Sequence, residues 1–223
     1  MDGPRLLSFQ IADVFDPSDE LARWLTVLAM ASNDFWRFFR WMEEASDGPT
    51  RILAFRLEAA ALFEAARHLT KPPTQWPRIA KFLSRLPPDV LADRDRVRGT
   101  IDPKSEFYVG DWLERLRNVT FHYPDGHPAK SQAKKEEVEQ AMARAVAQGI
   151  EGKITIATGS FGDVRFEFAD EVAVQWLPDG ETSHGTSQIV LLREGGIALA
   201  KFAQRAIGAH LATLPRGVVS GLP

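Results

Sequence analysis

The stretch "DGPTRILAFRLEAAALFEAARHLTKPP", residues 47 to 73, restricts the chain more than any other. A turn opens it, Thr50 beside Pro49 is a cap candidate, the body is rich in alanine and other strong helix formers, and Pro72 and Pro73 stop it. The pattern predicts a helix and sets the class as mainly α. "DPSDELARWLTVLAMASNDFWRFFRWMEE" before it opens with Asp and Ser cap candidates. Its apolar residues then recur at helical spacing through Leu21, Trp24, Leu25, Leu28, Phe35, Phe38 and Phe39. Phe35, Trp36, Phe38, Phe39 and Trp41 together cover more of the circumference than one buried stripe, so part of that face is a candidate subunit interface.

Further helical stretches follow. "QWPRIAKFLSRLPPDVLADRDRVRGTIDP" predicts a short helix, a break at Pro87 and Pro88, and a charged helical piece. "SEFYVGDWLERLRNVTF" and Ser131 to Ile150 predict two more. The period then changes. "KITIAT" and "VRFEFADEVAVQWL" alternate apolar with polar residues around the glycine-rich "GSFGD", which predicts a β-hairpin or small three-strand insertion over 152–180. The helical period returns in "SQIVLLREGGIALAKFAQRAIGAHLATLP", with a bend expected at Gly195 and Gly196.

The expectation is therefore a single helical domain over 1–223 with a strand insertion before its last helix. At 223 residues it can bury a substantial core. No apolar run approaches the roughly 20 residues that span a bilayer, and the start does not read as a secretory signal. Without cysteine there are no disulfides and no thiolate sites. A cytoplasmic protein is expected, with no membrane partner. The net charge of −3 excludes a global positive field, so a nucleic-acid partner requires a local basic cleft. Arg115, Arg117, Lys130, Lys134 and Lys135 offer one, although "KKEEVE" reads equally as a solvated helix face.

Chemistry concentrates in "LRNVTFHYP", residues 116 to 124. On a continuous helix, Arg117 and His122 stand about 500° apart, equivalent to roughly 140°, and do not converge. Pro124 disfavours helix at Tyr123, so a joint site requires the helix to end between them. Histidine titrates near neutrality and serves as general acid or base, and arginine supplies a permanent forked donor to phosphate oxygens. Asn118 can orient either. The bland alternative is a helix-terminal arginine with an asparagine cap and an exposed turn histidine. His122, Asp125 and His127 lack a fourth metal ligand, so neither metal nor cofactor is expected.

"RNVTFH" resembles the HEPN superfamily, whose ribonuclease members carry an arginine, usually a polar residue next, and a histidine four to six places after the arginine. Arg117, Asn118 and His122 match that motif one for one. "ASNDFWRFF" and "FRLEAAALFEAARHL" look like helices of uncharacterised HEPN-like proteins, with Asn33, Asp34, Arg56 and Glu64 as polar residues in apolar surroundings. The resemblance implies an antiparallel bundle and a homodimer whose paired motifs cleave RNA without metal. Arg117, Asn118 and His122 would be catalytic, and Arg115, Tyr123 and Lys130 would contact substrate. It further implies a setting in stress response, phage defence or a toxin held by an antitoxin. The other class of function is a non-catalytic HEPN-like module binding nucleotide, RNA or a protein partner. From spacing, Arg56, Ala60 and Glu64 share a helix face, where Arg56 and Glu64 read as a buried ion pair. Asn33 and Asp34 either break or cap the first helix or support the site as polar residues facing substrate.

Overall fold

The computed structural model describes residues 9–70, 76–121, 142–149, 188–215 and 218, with 118–121 described by helical backbone alone. All regular structure among the described residues is helical, and the strand insertion expected over 152–180 lies outside them. The order is α1 (Ile11–Val14), α2 (Glu20–Glu44), α3 (Gly48–Thr70), α4 (Pro77–Leu83), α5 (Pro88–Gly99), α6 (Gly110–Phe121) and α7 (Gln188–Leu211). A short helical run at 142–147 belongs to the stretch expected over 131–150.

Local chemistry sets the boundaries. Asp19 caps α2, its carboxylate accepting from the Leu21 N–H at 2.9 Å. The cap of α3 is Asp47, which accepts from Thr50 N–H at 2.9 Å, so Thr50 supplies the donor and not the cap. Pro88 occupies the first position of α5, where its missing N–H is no loss. Helix α6 begins at Gly110 and not near Ser105, because residues 105–109 form turns closed by Tyr108 N–H to Ser105 O at 3.2 Å. Asn33 and Asp34 neither break nor cap α2, which runs unbroken through both. A two-carbon polar side chain in mid-helix costs little when 25 residues are held by packing.

Helices α2 and α3 form an antiparallel hairpin. His68 near the end of α3 stacks on Trp24 near the start of α2 at 5.7 Å between centroids, and its Nε2 lies 3.2 Å from the Trp24 carbonyl. Helix α7 also runs antiparallel to α2, with Phe202 against Trp24 at one end and Arg193 bonded to Glu43 at the other. Arg205 to Asp89 at 2.6 Å and Arg96 to Glu194 at 3.8 Å lay α5 antiparallel along α7. The core between them is apolar: Leu25, Leu28, Phe35, Leu62, Leu192, Leu199 and Phe202 are all but removed from solvent. Each such side chain contributes about 1.5–3 kcal/mol over leaving it exposed.

Gly195 and Gly196 do not interrupt α7. They are there for close approach. A Cβ on Gly196 would overlap the buried Phe35 ring, and one on Gly195 would come within 2.9 Å of Thr100 Cγ2 and 3.1 Å of Leu62 Cδ2. The aromatic residues of α2 divide in the same way: Phe35 is core, Trp36 packs on it edge-on, and Trp41 remains 40% exposed.

Candidate functional site

Helix α6 is fixed at its start by α5. The Val109 N–H donates to Thr100 O at 2.9 Å, while the buried Thr100 hydroxyl turns back onto Val97 O at 2.7 Å. Tyr108 donates its hydroxyl to Asp111 at 2.6 Å, a bond that with partial burial pushes the phenol up to about 12. From there Trp112, Leu113 and Leu116 form the buried stripe, and Trp112 meets Phe55 of α3 at 5.4 Å in an edge arrangement.

Arg117 follows that stripe at its border. Its side chain is 27% exposed, and its Nε–H donates to Glu64 Oε1 at 3.1 Å. Glu64 also lies 3.8 Å from Arg67 one turn along α3. The expected buried Arg56–Glu64 pair is corrected here: Glu64 is half-exposed and its 3.1 Å partner comes from α6. Burial is what fails in that reading, since four-residue spacing places a side chain on a face without saying whether a second helix covers it. Arg115 points outward on the exposed side of α6.

The backbone from Arg117 to Phe121 is helical, so any convergence on Arg117 is left to His122, which with Tyr123 and Lys130 lies outside the described residues. Asp125 and His127 lie outside them too. Asn33 is exposed in mid-α2 and lines a hollow of about 590 Å³ with Trp36, Arg37 and Arg40, apart from Arg117. Asp34 beside it is half-buried.

Arg56 belongs to a second hollow, of about 440 Å³, bounded by the end of α2, the first half of α3, Leu116 of α6 and the start of α7. The motif helix therefore forms one wall of this space. Arg51 and Arg193 join Arg56 there, with Glu43 opposite. Arg51 Nε donates to Ala45 O at 2.9 Å, closing the end of α2, and Arg193 donates to Glu43 at 3.0 Å.

Glu58 lies fully buried on the inner face of α3, and neither carboxylate oxygen has a hydrogen-bond partner. Burial pushes its carboxyl up to about 7, Arg193 pulls the other way, and Glu43 adds to the rise. Sequence reading passed over this residue. The signal was present: Ala54, Glu58, Leu62 and Leu69 fall on one stripe, and a carboxylate within a wholly apolar stripe is the anomaly worth marking.

No helix among the described residues is long and apolar enough to cross a membrane. Neither a family model, nor a curated protein, nor a solved structure matches this chain.

Proposed function

We propose that the chain is a metal-independent endoribonuclease of the HEPN type, working as a homodimer with two motifs facing one cleft. The observation that carries this reading is Arg117, first residue of "RNVTFH", held by Glu64 from a neighbouring helix while still in contact with solvent. An arginine clamped through Nε presents its guanidinium plane in a set direction, which an electrostatic clamp on a phosphodiester requires. His122 then takes the proton of the RNA 2′-hydroxyl as that oxygen bonds to phosphorus. The bond from phosphorus to the 5′-oxygen breaks, and a protonated histidine, from either subunit, supplies the leaving oxygen with its proton. The products are a cyclic phosphate and a 5′-hydroxyl. Asn118 orients Arg117 or His122, and Arg115, Tyr123 and Lys130 hold the flanking strand. Such an activity suits stress response, phage defence or a toxin held by an antitoxin.

The Arg117–Glu64 pair also favours a second reading, because a neutralised arginine suits dimer architecture or partner binding without turnover. RNA incubated with wild type, Arg117→Ala and His122→Ala, each with EDTA and matched for melting temperature, separates the two. Cleavage with cyclic-phosphate ends in wild type only supports the enzyme. Equal cleavage by all three, or none by wild type on any RNA, removes it.

A further inference from the structure

We propose that the hollow between α2, α3, α6 and α7 binds a small organic anion with an apolar body and a single phosphate or carboxylate head. Its volume, about 440 Å³, lies in the range that encloses a small molecule. Ile52, Phe55 and Leu116 give it apolar walls, and Phe55 is itself held edge-on by Trp112. Among the described lining residues, Arg51, Arg56 and Arg193 stand around those walls with one carboxylate, Glu43, which accepts from Arg193 at 3.0 Å. Three positive charges against one negative select an anion. Guanidinium forks fit the paired oxygens of a phosphate or carboxylate head, and the walls select the body.

The buried Glu58 gives an independent indication. It is fully removed from solvent, its two oxygens have no hydrogen-bond partner, and the charges that act on it are Arg193 and Glu43, both of which line the hollow. Buried polar groups without partners are rare and mark places where stability has been given up for something else. Below about pH 7 burial keeps Glu58 largely protonated, so among the described residues the carboxylate that pairs with Arg193 is Glu43, at 3.0 Å, while the guanidinium also lies over the Phe39 ring. The site is independent of RNA cleavage: Arg117→Ala and His122→Ala are expected to bind the anion like wild type.

Calorimetric titration of the full chain at pH 6, where Glu58 is protonated, with 1-naphthyl phosphate, 1-naphthoate, 1-naphthalenemethanol and inorganic phosphate tests this. One naphthyl anion is expected to saturate at one per chain, and which of the two binds tighter identifies the head group. The neutral alcohol and inorganic phosphate should bind at least about tenfold more weakly, since each lacks half of the recognition. Arg56→Gln and Arg193→Gln should each cost about tenfold. Ile52→Trp, which fills the hollow, should abolish binding, and Arg85→Gln, on the exposed α4–α5 link, should change nothing. Melting temperatures show which variants are folded, and the two arginine variants decide the matter if Ile52→Trp is not. The proposal is overturned if neither anion saturates, if the alcohol binds as tightly, or if folded arginine variants bind like wild type.

Discussion

Arg117 on α6 donates its Nε–H to Glu64 Oε1 on α3 at 3.1 Å, joining side chains 53 positions apart in the chain. The pair is partly exposed, so its contribution to stability is small, whereas its control over the direction of the guanidinium is large. Glu64→Gln is therefore expected to change unfolding free energy by less than about 1 kcal/mol. Under the proposed ribonuclease function, RNA cleavage should fall about tenfold in the same variant, with the loss in kcat, since a clamp at Arg117 would act as charge accumulates in the transition state. Denaturant titration and single-turnover cleavage measured side by side check both halves. A stability loss with unchanged cleavage would make the pair purely structural.

Most of the helical frame could be read from periodicity, prolines and glycines. A break was expected at Pro87 and Pro88, and α5 starts at Pro88 itself, while α3 is helical as far as Thr70, just short of the two prolines. Two kinds of information could not be read. One is which of several polar residues near a boundary makes the cap, because Asp47 and Thr50 are both competent and only backbone direction decides between them. The other is what covers a helix face. Gly195 and Gly196 looked like a bend because a glycine's flexibility is visible in sequence, while the Phe35 ring that needs the space lies about 160 residues away. For the same reason Glu64 was assigned a partner on its own helix. The motif at Arg117 was legible as chemistry, and its second half, His122, lies outside the described residues.

Gly196 and Gly208 lie on the same helix, yet opposite outcomes are expected on mutation to alanine. At Gly208 a Cβ meets nothing within 4 Å, and removing a helix-interior glycine should stabilise by about 0.5–1 kcal/mol. At Gly196 the Cβ enters the Phe35 ring, which is 1% exposed and has no room to retreat, so the cost should reach about 3 kcal/mol. Combining Gly196→Ala with Phe35→Leu should recover part of that loss relative to the sum of the single changes. Thermal melts of the four variants test it, and additive effects would show that the ring is not what the methyl meets.

Asp19 holds α2 in two ways, through the Leu21 N–H at 2.9 Å and through Arg78 Nη1 at 2.9 Å, which ties the helix start to α4. Asp19→Asn retains a cap oxygen and loses the charge, so it should cost less than Asp19→Ala, for which about 1–2 kcal/mol is expected. Urea midpoints rank the three proteins. Equal losses in both variants would assign the effect to the ion pair and not to the cap.

Glu58 makes stability depend on pH in a direction opposite to that of most carboxylates. Unfolded, it titrates near its ordinary 4.5; folded, burial raises it to about 7. Between those values the folded chain holds a proton that the unfolded chain has released, so stability falls as pH rises through this window. Below about 4.5 both states are protonated and the group contributes no pH dependence; above about 7 the loss is complete, on the order of 3 kcal/mol. Glu58→Gln keeps the shape and cannot ionise, so its stability profile should lack this decline while following wild type in its other slopes. Guanidinium denaturation at pH 5, 6, 7 and 8 measures the difference directly. Parallel profiles for the two proteins would mean that Glu58 ionises in the folded chain as readily as in water, through a partner drawn to it from the arginines of the neighbouring hollow.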